Sequence, residues 1–107
     1  MFKLSQDADI NGTHRVGEIT CAPATLVEKF GQPQASDGYK VSGEYTFENE
    51  AGEVFTLYDW KSTSLYDDDF GSPSPGAFWR QASPQQFNIG GRTNAFDFVD
   101  WLEGKVQ

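Results

Sequence analysis

The sequence predicts a small α+β domain, in which an antiparallel sheet with a central β-hairpin packs against two short helices. Three observations lead to this fold class. Residues 39–61 alternate apolar and polar side chains on both sides of a turn signal, N-E-A-G. Two short amphipathic segments, near residues 22–30 and 94–105, have helix boundary signals. The 107 residues are a length typical of one domain, so we expect a single domain over 1–107.

The N-terminal part predicts one strand and one helix. H-R-V-G-E-I-T, residues 14–20, has the alternation of a short strand. A helix is expected over about 22–30, because Pro23 suits the first turn of a helix and Gly31 suits its end. The apolar face of this helix would comprise Leu26, Val27 and Phe30.

The central hairpin is the clearest pattern in the sequence. Side chains alternate along a strand, so Tyr45 and Phe47 should lie on one face, and Glu44 and Glu48 on the other. The second strand, V-F-T-L-Y-D-W, has Phe55 on one face and Tyr58 with Trp60 on the opposite face. Aromatic residues on both faces indicate that this strand is the more central of the two.

The C-terminal part predicts a loop, a strand and a helix. Residues 62–76 are rich in Ser, Pro, Asp and Gly and should form a long loop. Q-Q-F-N-I-G, residues 85–90, returns as a strand. Thr93 or Asn94 would cap the last helix. Its apolar stripe would comprise Ala95, Phe96, Phe98, Val99 and Leu102.

Acidic residues dominate the centre of the chain. The whole sequence has 16 acidic against 8 basic residues, and residues 44–69 alone hold 8 of the acidic residues with a single lysine, Lys61. This charge disfavours direct binding to nucleic acid and to anionic membranes, and it favours a basic protein partner or a cation. Alternatively, the charge serves only solubility.

The cysteine count and the hydropathy of the sequence indicate the cellular compartment. Cys21 is the single cysteine, so no internal disulfide forms, which fits a reducing compartment. No apolar run reaches the ~20 residues of a membrane span, and the N-terminus does not resemble a signal peptide. We therefore expect a cytoplasmic protein with no membrane segment.

Residues 7–18, D-A-D-I-N-G-T-H-R-V-G-E, fit the calcium-loop pattern of EF-hands. The ligands would be Asp7, Asp9, Asn11, the Thr13 carbonyl and Glu18. However, only six residues precede Asp7, too few for an entering helix, and Arg15 would bring a positive charge to the metal. Asn-Gly is also a leading hairpin-turn signal. We predict a turn joining two strands, with calcium binding as the alternative.

The sequence gives no clear catalytic set. Cys21 and His14 are the only nucleophile–base pair of their types, and no third orienting group or oxyanion loop is evident nearby. The carboxylates of the acidic loop should be solvated, where nothing raises their pKa. We therefore expect a non-enzymatic protein without catalytic residues or cofactors.

The aromatic residues near the acidic loop suggest a docking surface. Rings beside acids would give affinity and orientation toward a basic partner, although the same rings could instead fold the loop onto the domain. The candidate partner-binding residues are Glu44, Glu48, Glu50, Glu53, Tyr66, Asp67, Asp68, Asp69, Phe70 and Trp79.

Four motifs carry a family resemblance over roughly residues 16–91. They are L-V-E-K-F-G-Q-P (26–33), D-G-Y-K-V (37–41), V-F-T-L-Y-D-W-K (54–61) and F-N-I-G-G (87–91). Their order, F-G-x-P, Y-D-W-K, I-G-G, resembles small uncharacterised acidic proteins encoded by bacteriophages. Such proteins have no established activity, so no catalytic residue is implied. The resemblance implies an accessory factor in the host cytoplasm, often an inhibitor of a CRISPR effector or restriction enzyme that presents carboxylates where DNA phosphates would bind.

Together these observations predict a non-enzymatic phage-type protein that binds and inhibits a host nucleic-acid-processing protein through an acidic, DNA-mimicking surface. The partner would be a basic host protein. Two alternatives stay open: a small calcium- or ligand-binding module on Asp7–Glu18, and a virion structural or assembly protein.

Overall fold

The computed structural model describes residues 1–66 and 71–107, which form a five-stranded sheet with three helices. The strands are β1 (Lys3–Leu4), β2 (His14–Cys21), β3 (Glu44–Glu48), β4 (Val54–Tyr58) and β5 (Gln85–Gly91). The helices are α1 (Pro23–Phe30), α2 (Pro75–Phe78) and α3 (Phe96–Val106). Neighbouring strands pair antiparallel in the order β1-β3-β4-β5-β2. The α+β class predicted from the sequence is confirmed.

The strands and helices predicted from periodicity are present. β2, α1, the β3–β4 hairpin, β5 and α3 begin and end within a few residues of their predicted bounds. β4 lies in the middle of the sheet, as its aromatic residues indicated. Two short elements were not predicted. β1 has only two residues, and α2 lies at the end of the stretch that was predicted to be loop.

The helices cover one face of the sheet and enclose an aromatic core. Strand residues on this face are Ile19, Tyr45, Phe47, Phe55, Leu57, Phe87 and Ile89, and the helices add Leu26, Phe78, Phe98 and Leu102. Phe55 and Phe98 stack with ring centroids 5.0 Å apart, joining the central strand to α3. Burying one such side chain stabilises the fold by about 1.5–3 kcal/mol, so this face anchors the hairpin firmly.

β1 and β2 lie at opposite edges of the sheet, so residues 5–13 run from one edge to the other. Two short segments, residues 3–6 and Gln34, cover the outer edge of β3. Lys3 pairs with Glu48, the Ser5 N–H and the Gln6 side chain bond to the backbone of Thr46, and Gln34 pairs with Glu44. The backbone groups along this edge are therefore satisfied within the chain.

The predicted turn around Asn11 is present, but it does not join paired strands. The Thr13 N–H donates to the Ile10 carbonyl at 3.1 Å, and Gly12 has a φ of 79°, which glycine adopts without strain. The strands on either side of this segment, β1 and β2, do not pair with each other. The hairpin expected from Asn-Gly is therefore wrong, because β1 pairs with β3 instead.

The start of α3 also differs from its prediction. Ala95 occupies the N-cap position, and Asn94 accepts a hydrogen bond from the Phe96 N–H at 3.3 Å. Phe96, expected on the apolar stripe, is 80% exposed. It is the first residue of the helix and points away from the sheet, whereas Phe98 and Leu102 are fully buried.

Among the residues that the structure describes, no helix combines the length and the apolar character that crossing a membrane requires.

Candidate functional site

The hairpin carboxylates form two groups rather than one row. Glu44 and Glu48 share a face of β3 as predicted, but they stand at its two ends, about 13 Å apart by strand geometry. Thr46, between them on this face, is buried. Glu50 and Glu53 belong to the turn beyond Glu48, so the acidic surface of the hairpin is concentrated at its turn.

The acidic hairpin end comprises Glu48, Glu50 and Glu53. Glu50 and Glu53 are exposed and Glu48 is half-buried. The N-terminal amine pairs with Glu50 at 3.0 Å, and Lys3 lies opposite Glu48 on β1. The Glu53 carboxylate accepts a hydrogen bond from the Asn49 amide at 2.8 Å. Glu48 and Glu50 border a groove of about 560 Å³ between the N-terminus and the turn.

The Asn49 side chain holds the turn in one conformation. Its carbonyl oxygen accepts the N–H groups of Ala51 at 3.0 Å and Glu53 at 2.9 Å, an arrangement in which an Asn side chain closes a turn. Gly52 follows with a φ of 80°, in the region that favours glycine. The acidic hairpin end is therefore presented on an ordered turn whose strands are anchored in the core.

Glu44 occupies a different environment at the other end of β3. It is half-buried, and burial raises the pKa of its carboxyl, while a hydrogen bond from the Ser36 hydroxyl acts in the opposite direction. Its cross-strand neighbour is Tyr58. Glu44 therefore belongs to the face of the sheet that the helices do not cover, which we call the open face, rather than to the acidic hairpin end.

Asp59, one of the eight central acidic residues, does not contribute to the surface. It is fully buried just after β4. Its carboxylate accepts hydrogen bonds from the Ser42 N–H, the Ser42 hydroxyl and the Gly43 N–H at 2.8, 2.7 and 3.0 Å. Burial raises the pKa of Asp59, and these hydrogen bonds oppose that rise. The role of Asp59 is thus to hold the segment before β3.

Trp79 was predicted on the partner-binding surface, and the structure places it in the core instead. Only 6% of Trp79 is exposed, and its ring packs against Tyr45, Phe78 and Phe87. Its indole N–H donates to the Ser42 hydroxyl at 3.0 Å. Helix α2 turns this ring inward, which the composition of a presumed loop did not indicate.

Tyr66 is exposed, in line with its prediction, and belongs to an aromatic cluster at the surface. Its ring lies 5.1 Å from that of Tyr39, and the Lys61 ammonium group lies 4.9 Å from its centroid. Lys61 also lies over Trp60, as does Lys40, at 5.7 and 5.6 Å. The cluster thus contains two lysines, while the aspartates predicted beside Tyr66 lie outside the described residues.

Four side chains on the open face of the sheet, Arg15, Tyr58, Trp60 and Asn88, line a groove of about 430 Å³. We call it the open-face groove. Tyr58 and Trp60 meet at an interplanar angle of 72° with centroids 6.4 Å apart. The sequence placed these two rings on the same face. Arg15 and Asn88 could not be added to them without the strand order, which places β5 beside β4 and β2 beyond β5.

The remaining candidate residues, Asp67, Asp68, Asp69 and Phe70, lie outside the residues that the structure describes. Their predicted part in partner binding stays a prediction.

Asp9, Asn11 and Glu18 of the possible calcium loop make other contacts. Asp9 accepts a hydrogen bond from the Asn11 N–H at 2.9 Å, and Arg92 donates to the carbonyls of Asp9 and Asn11. Glu18, on β2, binds Arg15 and Gln86. Within residues 1–66 and 71–107, no three His, Cys, Asp or Glu residues are grouped so that they could hold a metal ion. The geometry gives calcium binding no support.

His14 and Cys21 stand at opposite ends of β2, roughly 23 Å apart by strand geometry. Burial raises the pKa of the Cys21 thiol to about 11. A buried, protonated thiol far from the only histidine cannot act with it as a nucleophile–base pair.

Comparison with known proteins adds no assignment: the chain matches no protein-family model and no curated protein. The resemblance to phage proteins therefore rests on the motifs alone.

Proposed function

We propose that this protein is a non-enzymatic binding protein, and that the acidic hairpin end docks on a basic groove of a partner protein. The observation that carries this proposal is the concentration of Glu48, Glu50 and Glu53 on one ordered turn. The N-terminal amine is the one cation that pairs with them within the described part of the chain. A basic partner can replace this exposed contact with closer and more numerous ones.

Preorganisation supports the same function. The hairpin that carries these carboxylates is fixed by buried aromatic residues on its core face and by the Asn49 hydrogen bonds in its turn. A rigid turn loses little conformational freedom when it binds. Carboxylates held in this way can present a fixed charge pattern to a partner surface, as a DNA backbone does with its phosphates.

The partner that we propose is a nucleic-acid-processing protein of a bacterial host, for example a CRISPR effector or a restriction enzyme. Two arguments support this class. Such proteins have basic grooves that bind phosphates, which complement a chain of net charge −8. The motif resemblance to phage-encoded acidic proteins supplies the host context. Binding in the groove would exclude nucleic acid, and inhibition would follow.

A pull-down of the tagged protein from bacterial lysate, at low and high salt, tests this function. We expect one basic nucleic-acid-binding protein to be enriched at low salt and lost as salt rises, because screening weakens charge contacts. The triple variant Glu48→Gln, Glu50→Gln, Glu53→Gln should lose this partner.

The matched control removes the same charge elsewhere. Glu28→Gln, Asp100→Asn and Glu103→Gln lie on helices α1 and α3, away from the hairpin, and should keep the partner. Equal loss in both triple variants would mean that net charge alone drives capture. Retention by the hairpin variant would refute binding through the acidic hairpin end.

A further inference from the structure

The open-face groove is not used by the proposed function. It lies at the other end of β4 from the acidic hairpin end, with Tyr58 five residues beyond Glu53, roughly 17 Å along the strand. Its residues come from three different strands and the segment after β4. A concave site with aromatic walls and a few convergent polar groups is the usual form of a ligand site.

We propose that the open-face groove binds an uncharged carbohydrate, with one sugar ring stacked on Trp60. The first argument is the aromatic corner. Trp60 is 44% exposed, and Tyr58 stands nearly perpendicular to it. A pyranose ring has an apolar face of C–H groups that stacks on an indole, and a second ring at right angles can close one side of the sugar.

The second argument is the polar lining. The Arg15 guanidinium is a planar set of donors and the Asn88 amide both donates and accepts, which suits neighbouring hydroxyls on a sugar. They are also held in place: the Arg15 Nε donates to the Asn88 Oδ1 at 3.3 Å, and Arg15 Nη2 donates to Glu18 at 2.6 Å. The groups around a sugar would therefore be ordered before it binds, which favours affinity.

The third argument is charge balance, which distinguishes a neutral ligand from an ion. Arg15 is paired with Glu18, and Glu44 lies across the strand from Tyr58. The Lys40 and Lys61 ammonium groups lie 5.6 and 5.7 Å from the centroid of the Trp60 ring, so a sugar stacked on the ring would replace the cation–π contacts on that side. Both signs of charge therefore surround the groove. A cationic or anionic ligand would meet like charges, whereas hydroxyl groups can bond to carboxylates, guanidinium and ammonium groups alike.

The test is an array of immobilised oligosaccharides built from glucose, galactose, mannose and N-acetylglucosamine, followed by NMR titration with the best-bound sugar. The three tryptophans provide an internal readout. The Trp79 indole N–H is bonded to Ser42, and the Trp101 indole nitrogen is buried without a partner among the described residues. We expect the indole signal of Trp60 to shift, with those of Trp79 and Trp101 unchanged.

Variants assign the binding to the groove. Trp60→Ala should weaken sugar binding at least about tenfold, and Asn88→Ala should weaken it severalfold. Phe96→Ala is the matched control, because it removes another exposed aromatic ring, on α3, and should have no effect. Binding to no sugar on the array would overturn the proposal. A sugar that binds but leaves the Trp60 signal unchanged would also overturn it. So would a Trp60 shift produced by single-stranded oligothymidine, whose bases also stack on aromatic rings, and by no sugar.

Discussion

Asp59 ties the end of the central strand to the start of the hairpin through Ser42. The Asp59 carboxylate accepts hydrogen bonds from the Ser42 N–H at 2.8 Å and from the Ser42 hydroxyl at 2.7 Å. The same hydroxyl accepts the indole N–H of Trp79 at 3.0 Å. One buried acid thus joins three parts of the chain: the residues after β4, the segment before β3 and the end of α2.

Replacing Asp59 by alanine should lower the free energy of unfolding by about 2–4 kcal/mol, because the Ser42 and Gly43 N–H groups would be left buried without an acceptor. Asp59→Asn keeps one acceptor oxygen and should cost about 1 kcal/mol. Urea unfolding followed by tryptophan fluorescence measures both. Equal costs for the two variants would show that the hydrogen bonds are not the reason for the loss.

Asp59 also gives stability a specific pH dependence. Burial raises its pKa in the folded state above the ordinary value of 3.8, so the folded protein binds more protons than the unfolded chain above that pH. The contribution of Asp59 to the free energy of unfolding is therefore greatest below pH 3.8 and falls as pH rises through the folded-state pKa.

The Asp59→Asn variant isolates this contribution, since other groups such as Asp37 titrate in both proteins. The stability of the wild type relative to Asp59→Asn should decrease as pH rises from about 4. If that difference instead grew with pH, the three hydrogen bonds would outweigh burial, and the pKa of Asp59 would be lowered.

Two glycines should respond to the same substitution in opposite ways. A Cβ on Gly43 would lie 2.7 Å from both the Trp79 ring and Pro33, so Gly43→Ala should cost about 1–3 kcal/mol. Gly104 lies in α3, where nothing outside the adjacent residues and the local helix backbone comes within 4 Å of such a Cβ, so Gly104→Ala should stabilise by about 0.5–1 kcal/mol. Thermal unfolding compares them directly, and a stable Gly43→Ala would show that Trp79 is loosely packed.

The Cys21 thiol should react slowly in the folded protein. With its pKa raised from 9.0 to about 11, the thiolate fraction of Cys21 near pH 7 is ~100-fold below that of an unperturbed cysteine, and burial restricts access further. Reaction with a chromogenic disulfide should therefore become fast only when denaturant unfolds the chain. Rapid labelling of the native protein would place Cys21 in a region that opens readily.

The three aspartates Asp67–Asp69 retain their predicted part in partner binding. Replacing all three by asparagine should weaken capture of a basic partner without changing the unfolding transition. A pull-down together with a thermal unfolding curve separates the two effects. Unchanged and salt-insensitive capture would confine the contact to the acidic hairpin end or to another surface.

The sequence was sufficient for those parts of the fold that periodicity defines. Local geometry determines the alternation around Tyr45 and Phe47 and the apolar spacing of α1 and α3. These patterns could therefore be recognised in the sequence. β1 has two residues and no period to read. Ser74 at the N-cap and Pro75 at the first helical position are signals that favour α2, but a four-residue helix beside several prolines and serines has the composition of a loop.

The candidate sites were harder to predict from the sequence than the fold, because the burial of a side chain depends on residues that are distant along the chain. Nothing in the sequence distinguished Asp59 from the exposed acidic residues around it. Its burial is explained by the hydrogen bonds that Ser42 and Gly43 donate to it. Trp79 is buried because α2 packs it on Tyr45 and Phe87. The open-face groove needs Arg15 and Asn88 beside Tyr58, an arrangement that depends on the strand order.

The outer edge of β3 is covered by two pieces of chain, residues 3–6 and Gln34, and this has a consequence for aggregation. β3 has consecutive β-favouring residues around Tyr45 and Phe47, and an open edge of that kind recruits strands from other molecules. Lys3, Ser5 and Gln6 occupy much of the edge with very few residues. A chain cleaved after Gln6 would keep most of its core yet expose this edge, so proteolysis near the N-terminus should produce a species that adds strands from its neighbours.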